Sequence, residues 1–483
     1  MNISHKAPTK PPAGPMTTQT KVPMTTQEQM PLSTDGKIPS ELTYEGINLK
    51  QQQCQAISVK GPSELTSEDI DYMVSTIYNL SSARFNKSTD ENQKALNQHA
   101  CSTACSIRHF YLFPSIATML NHYIAKENLE IPALSTEIEI FKPDDTTNYP
   151  TNRELENIRT VRAMYYLIKY GQYTIDGTVI RFDLRDSLRK SDSADSRAKL
   201  NYQQIAATFE RVKDKKITPQ PAEHNIFLIQ KDVAAATEQI IDTDQHVCML
   251  NLANNDIQGG GYFEGSSAQE EMIFNQMLAF AFLVLQNYPL DDNNYYKATT
   301  AKFQYEDIPL DKMSLIHSRD IPIANVGNEW RTSTQLKTCS MLTLPFFSRS
   351  SRQTTDTAGL KSDTFYDQIT AEIKKGNTIK TLLADTRFKF YVENSLAKLE
   401  ATLQMAVIKG EKILGLGAAG CGAFRNPPTF IAAAFKYLLV DKGYKKYFTK
   451  IYFVILIRNR FGDSPDLNAE IFKNTFSDIM QDA

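Results

Sequence analysis

Two stretches of this sequence combine glycines with groups able to bind anions or move protons. The first is Asn251-Leu252-Ala253-Asn254-Asn255-Asp256-Ile257-Gln258-Gly259-Gly260-Gly261, followed after a short gap by Gln269-Glu270-Glu271. Consecutive glycines let the backbone approach a ligand closely, and amides at a helix start favour phosphate-like anions. A carboxyl group beside such a site can give or take a proton. Ser267-Ala268-Gln269-Glu270 fits the S-x-x-E capping pattern and predicts a helix from Gln269 to Gln286. No Gly-Lys-Ser/Thr follows, so this is not a P-loop, and the spacing is not G-x-G-x-x-G. Alone, paired glutamates at a helix start are more commonly surface residues that offset the helix dipole. The segment by itself therefore denotes an anion site with carboxylates at hand.

The second stretch is Gly415-Leu416-Gly417-Ala418-Ala419-Gly420-Cys421-Gly422-Ala423-Phe424-Arg425-Asn426-Pro427-Pro428. Its glycines are again suited to wrapping amides around phosphate oxygens, and proline is tolerated in the first turn of the helix that follows. Cys421 has no histidine nearby in sequence to activate it and reads as a small loop residue. Two strand-loop-helix units of this kind can line one crevice and grip a diphosphate from both sides.

These loops need a scaffold. Short apolar runs at Ile226–Ile229, Val247–Leu250, Met341–Leu344, Lys412–Gly415 and Ile451–Ile457 alternate with helical patterns at Arg153–Tyr170, Val233–Ile241, Ser395–Lys409 and Thr429–Val440. That alternation predicts an α/β fold around a buried, largely parallel or mixed sheet. Upstream, Thr66-Ser67-Glu68-Asp69 resembles a helix start, with Ile70, Met73, Val74, Ile77 and Leu80 at helical spacing behind it, and a further helical stretch covers Ile107–Ile124. The expected division is a flexible Pro/Thr/Gln-rich tail over 1–62, a helical module over 63–149 and the α/β domain over 150–483.

Composition excludes several classes. Hydrophobic residues make up 41% and charged residues 22%, ordinary for a globular protein. A formal net charge of −2 gives no basic excess for nucleic acid or an anionic membrane, and neither is expected as a partner. Six cysteines without framework spacing fit a reducing compartment. No Sec-type signal or membrane span is visible, which predicts a cytoplasmic protein or an effector exported by another route. His99, Cys101, Cys105 and His109 offer metal-ligand types, but the last three run along two turns of one helix and do not readily close on one ion. They read as a buried helix face, and no metal is expected.

The two glycine motifs together resemble the microbial type of poly(ADP-ribose) glycohydrolase, a branch of the macrodomain superfamily. The match rests on the triple glycine, seven intervening residues and Gln269-Glu270-Glu271, with Gly420-Cys421-Gly422-Ala423-Phe424 and Asn426-Pro427 as companion. Weaker matches are Tyr170-Gly171-Gln172-Tyr173 and Ile316-His317-Ser318-Arg319-Asp320-Ile321-Pro322-Ile323, so the resemblance spans roughly 150 to 460. It implies a three-layer α/β/α macrodomain with a mixed central sheet and an ADP-ribosyl hydrolase acting on an ADP-ribosylated protein, with no cofactor. By resemblance, Glu271 is the acid/base and Glu270 positions ribose hydroxyls. Gln269 supports the loop, and Asn251 bonds the distal ribose. The amides of Gly260, Gly261, Gly420, Cys421 and Gly422 approach the diphosphate, and Gly259 and Ala423 belong to the ligand-binding set. Phe424, with Tyr262 beside it, packs on the distal ribose, and Asn426 completes the ligand-binding set. Asp256 is a solvated residue or a second active-site carboxylate.

Three departures bear on the substrate. Arg319 stands where the family has proline, Asp256-Ile257-Gln258 replaces a small residue and proline, and Ala418-Ala419 replaces an aromatic. The bond cleaved therefore stays open between another ADP-ribose, a carboxylate ester and an arginine linkage. A macrodomain that only binds ADP-ribose is the alternative to an enzyme, although a reader has no need of both glutamates.

Overall fold

The computed structural model describes residues 42–61, 64–81, 90–112, 172–175, 178–181, 198–217, 224–253, 259–262, 266–277, 314–326, 329–330, 337–346, 362–456 and 467–482, with positions 83 and 115. The sequence readings at Arg153–Tyr170, Asp256 and beyond position 277 of the predicted helix fall outside these residues, as does most of 1–41 and 113–171.

The chain begins with three helices, α1 (Tyr44–Ser58), α2 (Ser67–Ser81) and α3 (Glu91–Ile107), and one wide turn over Arg108–Leu112. Helix α1 corrects the expectation that 1–62 is tail throughout. Thr43 caps it by accepting from Gly46 N at 3.1 Å, and Ile47 and Cys54, seven residues apart, are fully buried. Helix α2 starts where expected: Thr66 N donates to Asp69 Oδ2 at 2.8 Å while Asp69 N donates to Thr66 Oγ1 at 3.2 Å. This reciprocal box satisfies two amides that the helix itself cannot. Ile70, Met73, Val74, Ile77 and Leu80 are all buried.

A hairpin, β1 (Gln172–Ile175) with β2 (Thr178–Arg181), and then β3 (Ala198–Asn201) lead into the domain. There follow α4 (Tyr202–Val212), β4 (Ile226–Ile229), α5 (Val233–Asp244), β5 (Cys248–Asn251), α6 (Gln269–Gln276), β6 (Ser314–Pro322), a second hairpin of β7 (Asn325–Val326) and β8 (Glu329–Trp330), and β9 (Thr338–Thr343). The C-terminal part holds α7 (Ser362–Lys374), α8 (Ile379–Ala384), α9 (Lys389–Lys409), β10 (Ile413–Leu416), α10 (Pro428–Lys436), β11 (Lys450–Val454), α11 (Leu467–Thr475) and β12 (Met480–Asp482).

Eight strands form one sheet in the order β12-β4-β11-β10-β5-β9-β6-β3. From β12 to β9 all neighbours are parallel; β6 runs antiparallel to both β9 and β3. The sheet is thus mixed, as expected. Alternate residues divide between two cores. Met249, Met341, Tyr452 and Val454 face one side with α5 and the first three helices, while Leu250, Leu342, Phe453 and Leu414 face the other with α4, α9 and α10. This period-two split builds the three layers. Among the described residues, no helix is long and apolar enough to cross a membrane.

Helix α6 ends much earlier than the sequence pattern predicts. Met277 is extended, at φ −125° and ψ 152°, and makes a bridge with Ile323, while Ala324 N donates to Gln276 O at 2.9 Å. Met277 thus pairs with the residue after β6 instead of continuing the helix.

Candidate active site

Strands β5 and β10 are parallel neighbours, with Leu414 opposite Cys248 and Gly415 opposite Met249. Both glycine loops therefore leave the same edge of the sheet, beyond the carboxyl ends of adjacent strands, where α/β folds bind ligands. The first helix turn after β5 carries Glu270 and Glu271, exposed by only 2% and 7%. Surface compensation of the helix dipole does not explain two buried carboxylates. The N-cap residue is Ala268, one later than the Ser267 of the capping pattern.

The first loop folds back onto the helix. Gly261 N donates to Glu271 Oε1 at 2.9 Å, so one acid oxygen is held by the amide of the third glycine. A Cβ on Gly261 would overlap Ser266 Oγ, and it would lie 3.7 Å from Glu271 Oε1. Gly259 and Gly260 have φ of 74° and 50°, and Tyr262 N closes a turn on Gly259 O at 2.8 Å. Tyr262 is 2% exposed and meets Phe274 edge-on at 5.5 Å in the hydrophobic core. It props the loop as a core residue, which corrects its expected place beside the ribose.

Gln269 braces the end of β5. Its Nε2 donates to Leu250 O at 3.0 Å, and Leu252 N donates to its Oε1 at 2.7 Å, so the amide extends the β5 ladder past the strand's end. Asn251, the last residue of β5, is fully buried; its Nδ2 is 3.5 Å from Thr343 Oγ1, and its Oδ1 has no partner among the described residues. An unsatisfied buried acceptor at a strand end is costly unless something binds it.

The second loop is braced from within. Asn426 Nδ2 and N both donate to Gly420 O, at 3.1 and 2.9 Å, and Tyr391 OH donates to Asn426 Oδ1 at 2.8 Å. Asn426 is 1% exposed, so it is a strut of the loop and not the ligand contact expected of it. Gly420 has φ 70°, and a Cβ there would overlap Asn426 Nδ2 and lie 2.8 Å from the Phe346 ring. Cys421 N is spent on Ala418 O at 3.0 Å, which removes it from the expected amide set. The amides of Gly420, Gly422 and Ala423 have no acceptor among the described residues, and nothing lies within 4 Å of a Cβ built on Gly422. Phe424 is half-buried against the second core at the end of this loop.

Three residues join the site from outside the motifs. Arg108, 1% exposed, donates from Nη1 to Gly260 O at 3.1 Å, tying the N-terminal helices to the middle glycine. Asn275 lies one helical turn after Glu271, and neither of its buried side-chain polar atoms has a partner among the described residues. Lys398, fully buried in α9, donates to Pro345 O at 3.0 Å, next to the Phe346 on which Gly420 leans. Burial pushes its ammonium down to about 7. In sequence, each showed only as a polar residue in an apolar stretch: Arg108 after Ile107, Asn275 after Phe274 and Lys398 between Leu396 and Leu399. Of the other motif residues, His317 is fully buried in β6, and Asp320 has φ 54° where the strand slips register between Ser318 and Ile321.

Residues 160–325 match the family model "Microbial-type PARG, catalytic domain". No curated protein matches the chain. Among solved structures, poly(ADP-ribose) glycohydrolase from Thermomonospora curvata is 18% identical, with 67% of this chain and all of that one covered, at a TM-score of 0.47. The same enzyme bound to the inhibitor ADP-HPD gives a TM-score of 0.46 at 18% identity and the same coverage. The Deinococcus radiodurans glycohydrolase in complex with ADP-ribose is 18% identical over 62% of this chain and 99% of its own, at 0.43. The stretch matched by that family model, residues 160–325, carries the triple glycine and both glutamates.

Proposed function

We propose that the protein is a glycosidic-bond hydrolase that takes the diphosphate of ADP-ribose between its two glycine loops and cleaves the bond at C1 of the distal ribose. The observation that carries this reading is the Glu271 carboxylate, buried and held at 2.9 Å by Gly261 N–H beside the anion-binding turn. Cleavage at an anomeric carbon passes through an oxocarbenium-like state, and the departing oxygen needs a proton. Glu271 donates that proton from the start of α6, and its conjugate base then draws a proton from the attacking water. The neighbouring Glu270 orients ribose hydroxyls. Asn251 Oδ1 accepts from one of them, which satisfies the atom now lacking a partner among the described residues. Amides of Gly420, Gly422 and Ala423 meet the diphosphate from the second loop, and Phe424 packs on the distal ribose. The substrate in this scheme is an ADP-ribosylated protein, with the linkage left to assay.

Glu271→Gln keeps the shape and the acceptor for Gly261 N but removes the proton. Its expected effect is a loss of about 10²- to 10⁴-fold in release of ADP-ribose, with binding of free ADP-ribose retained. Turnover measured on poly(ADP-ribose) and on proteins mono-ADP-ribosylated at glutamate, serine or arginine, beside calorimetry, checks this. Full activity in the variant on any of these substrates rejects the assignment. Binding by the unaltered protein with no turnover on any linkage makes it a reader instead.

A further inference from the structure

At the opposite edge of the sheet from the glycine loops, three elements bring a thiol, an imidazole and a carboxylate together. Cys248 opens β5, His317 lies in β6, and Glu411 stands two residues before β10. One candidate ligand atom from each lies within 4.8 Å of the others, and all three residues are buried. His317 Nε2 is 2.7 Å from Glu411 Oε1, and His246 Nε2 is 2.9 Å from Glu411 Oε2. A hydrogen-bonded chain from histidine to glutamate to histidine accounts for those contacts alone. It leaves unexplained why a buried thiol points to the same place.

We propose that Cys248, His317 and Glu411 bind one divalent metal ion of the zinc class, with His246 bonded to the outer oxygen of Glu411. The donor set of one sulfur, one nitrogen and one oxygen suits a borderline-soft ion that prefers four ligands. Tetrahedral bonds of about 2.0 to 2.3 Å place ligand atoms roughly 3.3 to 3.8 Å apart, so on binding the 2.7 Å hydrogen bond between His317 Nε2 and Glu411 Oε1 opens by about 0.6 to 1.1 Å, within the 4.8 Å span of the three donors. Charge balances as well. Cys248 binds as the thiolate after losing its proton to solvent, His317 as the neutral ring and Glu411 as the carboxylate, so two negative ligands cancel a doubly positive ion. A water molecule takes the fourth position on the side where the His246 side chain is 43% exposed.

Cys248 lies three residues before Asn251, about 10 Å along the strand, so the ion stands apart from the reacting ribose. Its role is to tie the starts of β5 and β10 to β6, which fixes the two strands that carry the glycine loops. This proposal does not depend on the hydrolase reading, and its test needs no turnover.

The full chain, stripped with a chelator, is titrated with Zn²⁺ and separately with Co²⁺. Expected are one equivalent bound, a rise in melting temperature with Zn²⁺, and a Co²⁺ spectrum with tetrahedral visible bands and a thiolate-to-metal charge-transfer band in the near ultraviolet. Cys248→Ser, shown to be folded by circular dichroism, loses the charge-transfer band, and His246→Ala weakens binding by about 10- to 100-fold. Absence of stoichiometric binding overturns the proposal. So does a Co²⁺ spectrum of the unaltered chain that lacks the thiolate band, a result that holds whether or not any variant folds. A charge-transfer band that persists in Cys248→Ser overturns it too.

Discussion

At Gly261 the side chain must be a hydrogen atom, because Ser266 occupies the space a methyl group would need and Glu271 Oε1 waits just beyond. Gly261→Ala is therefore expected to push the loop off Glu271 and to cost about 1 to 3 kcal/mol, as overpacking does. Activity should fall with it. Adding Ser266→Gly to that variant removes the obstacle and should restore much of the lost kcat/KM, which steady-state kinetics on the pair would measure. In the second loop, Tyr391→Phe deletes one donor to Asn426 Oδ1 and is expected to lower stability by about 1 kcal/mol, read by denaturant titration. The sequence made the glycines, both glutamates and Gln269 legible, because residue type and spacing alone suggest what each can do. It misplaced Asn426 and Tyr262. A polar side chain looks the same whether it faces a ligand or its own backbone, and the difference lies in partners such as Gly420 O and Phe274.

Among the elements, the N-terminal helices bear on the site more than their composition suggested. Their core is continuous with that of the domain, running from Ile47 and Ile77 through Tyr262, Ile273 and Phe274. Arg108 carries that packing to Gly260 as a hydrogen bond. Arg108→Met is expected to leave the buried Gly260 carbonyl short of a charged donor, costing about 1 to 3 kcal/mol, and to reduce kcat/KM by roughly tenfold. Arg108→Lys should recover part of the loss. Equal kcat/KM in Arg108→Met and the unaltered chain would show that the helices do not position the loop. Periodicity found α2 and the strands on either side of both loops, since their apolar residues repeat at the spacing of a helix or a strand. It missed α1, whose buried positions are sparse, and it overran α6. At Met277, the last described residue of that apolar run, a bridge to Ile323 breaks the helix.

For the whole molecule, Lys398 ties stability to pH. Burial lowers its folded-state pKa to about 7, so between that value and its ordinary value of 10.5 the unfolded chain holds more protons than the folded one. Stability then rises with pH across that window and falls as the solution is brought down toward neutrality. Lys398→Met is expected to flatten the slope, as seen in melting curves recorded from pH 7 to 10; an unchanged slope would mean the charge is solvated. The α/β class and the pairing of two glycine loops were readable from alternation along the chain, but the strand order was not, because β4 finds its neighbours only at the far end of the sequence. That order also sets a timetable for synthesis. β4 lies between β11 and β12, both more than 200 residues later. At about 5 to 20 residues per second, β4 leaves the ribosome at least some 10 seconds before either edge can be covered. The half-made protein thus exposes an apolar strand for that interval, and a chaperone that holds Ile226–Ile229 would act there rather than on the finished protein.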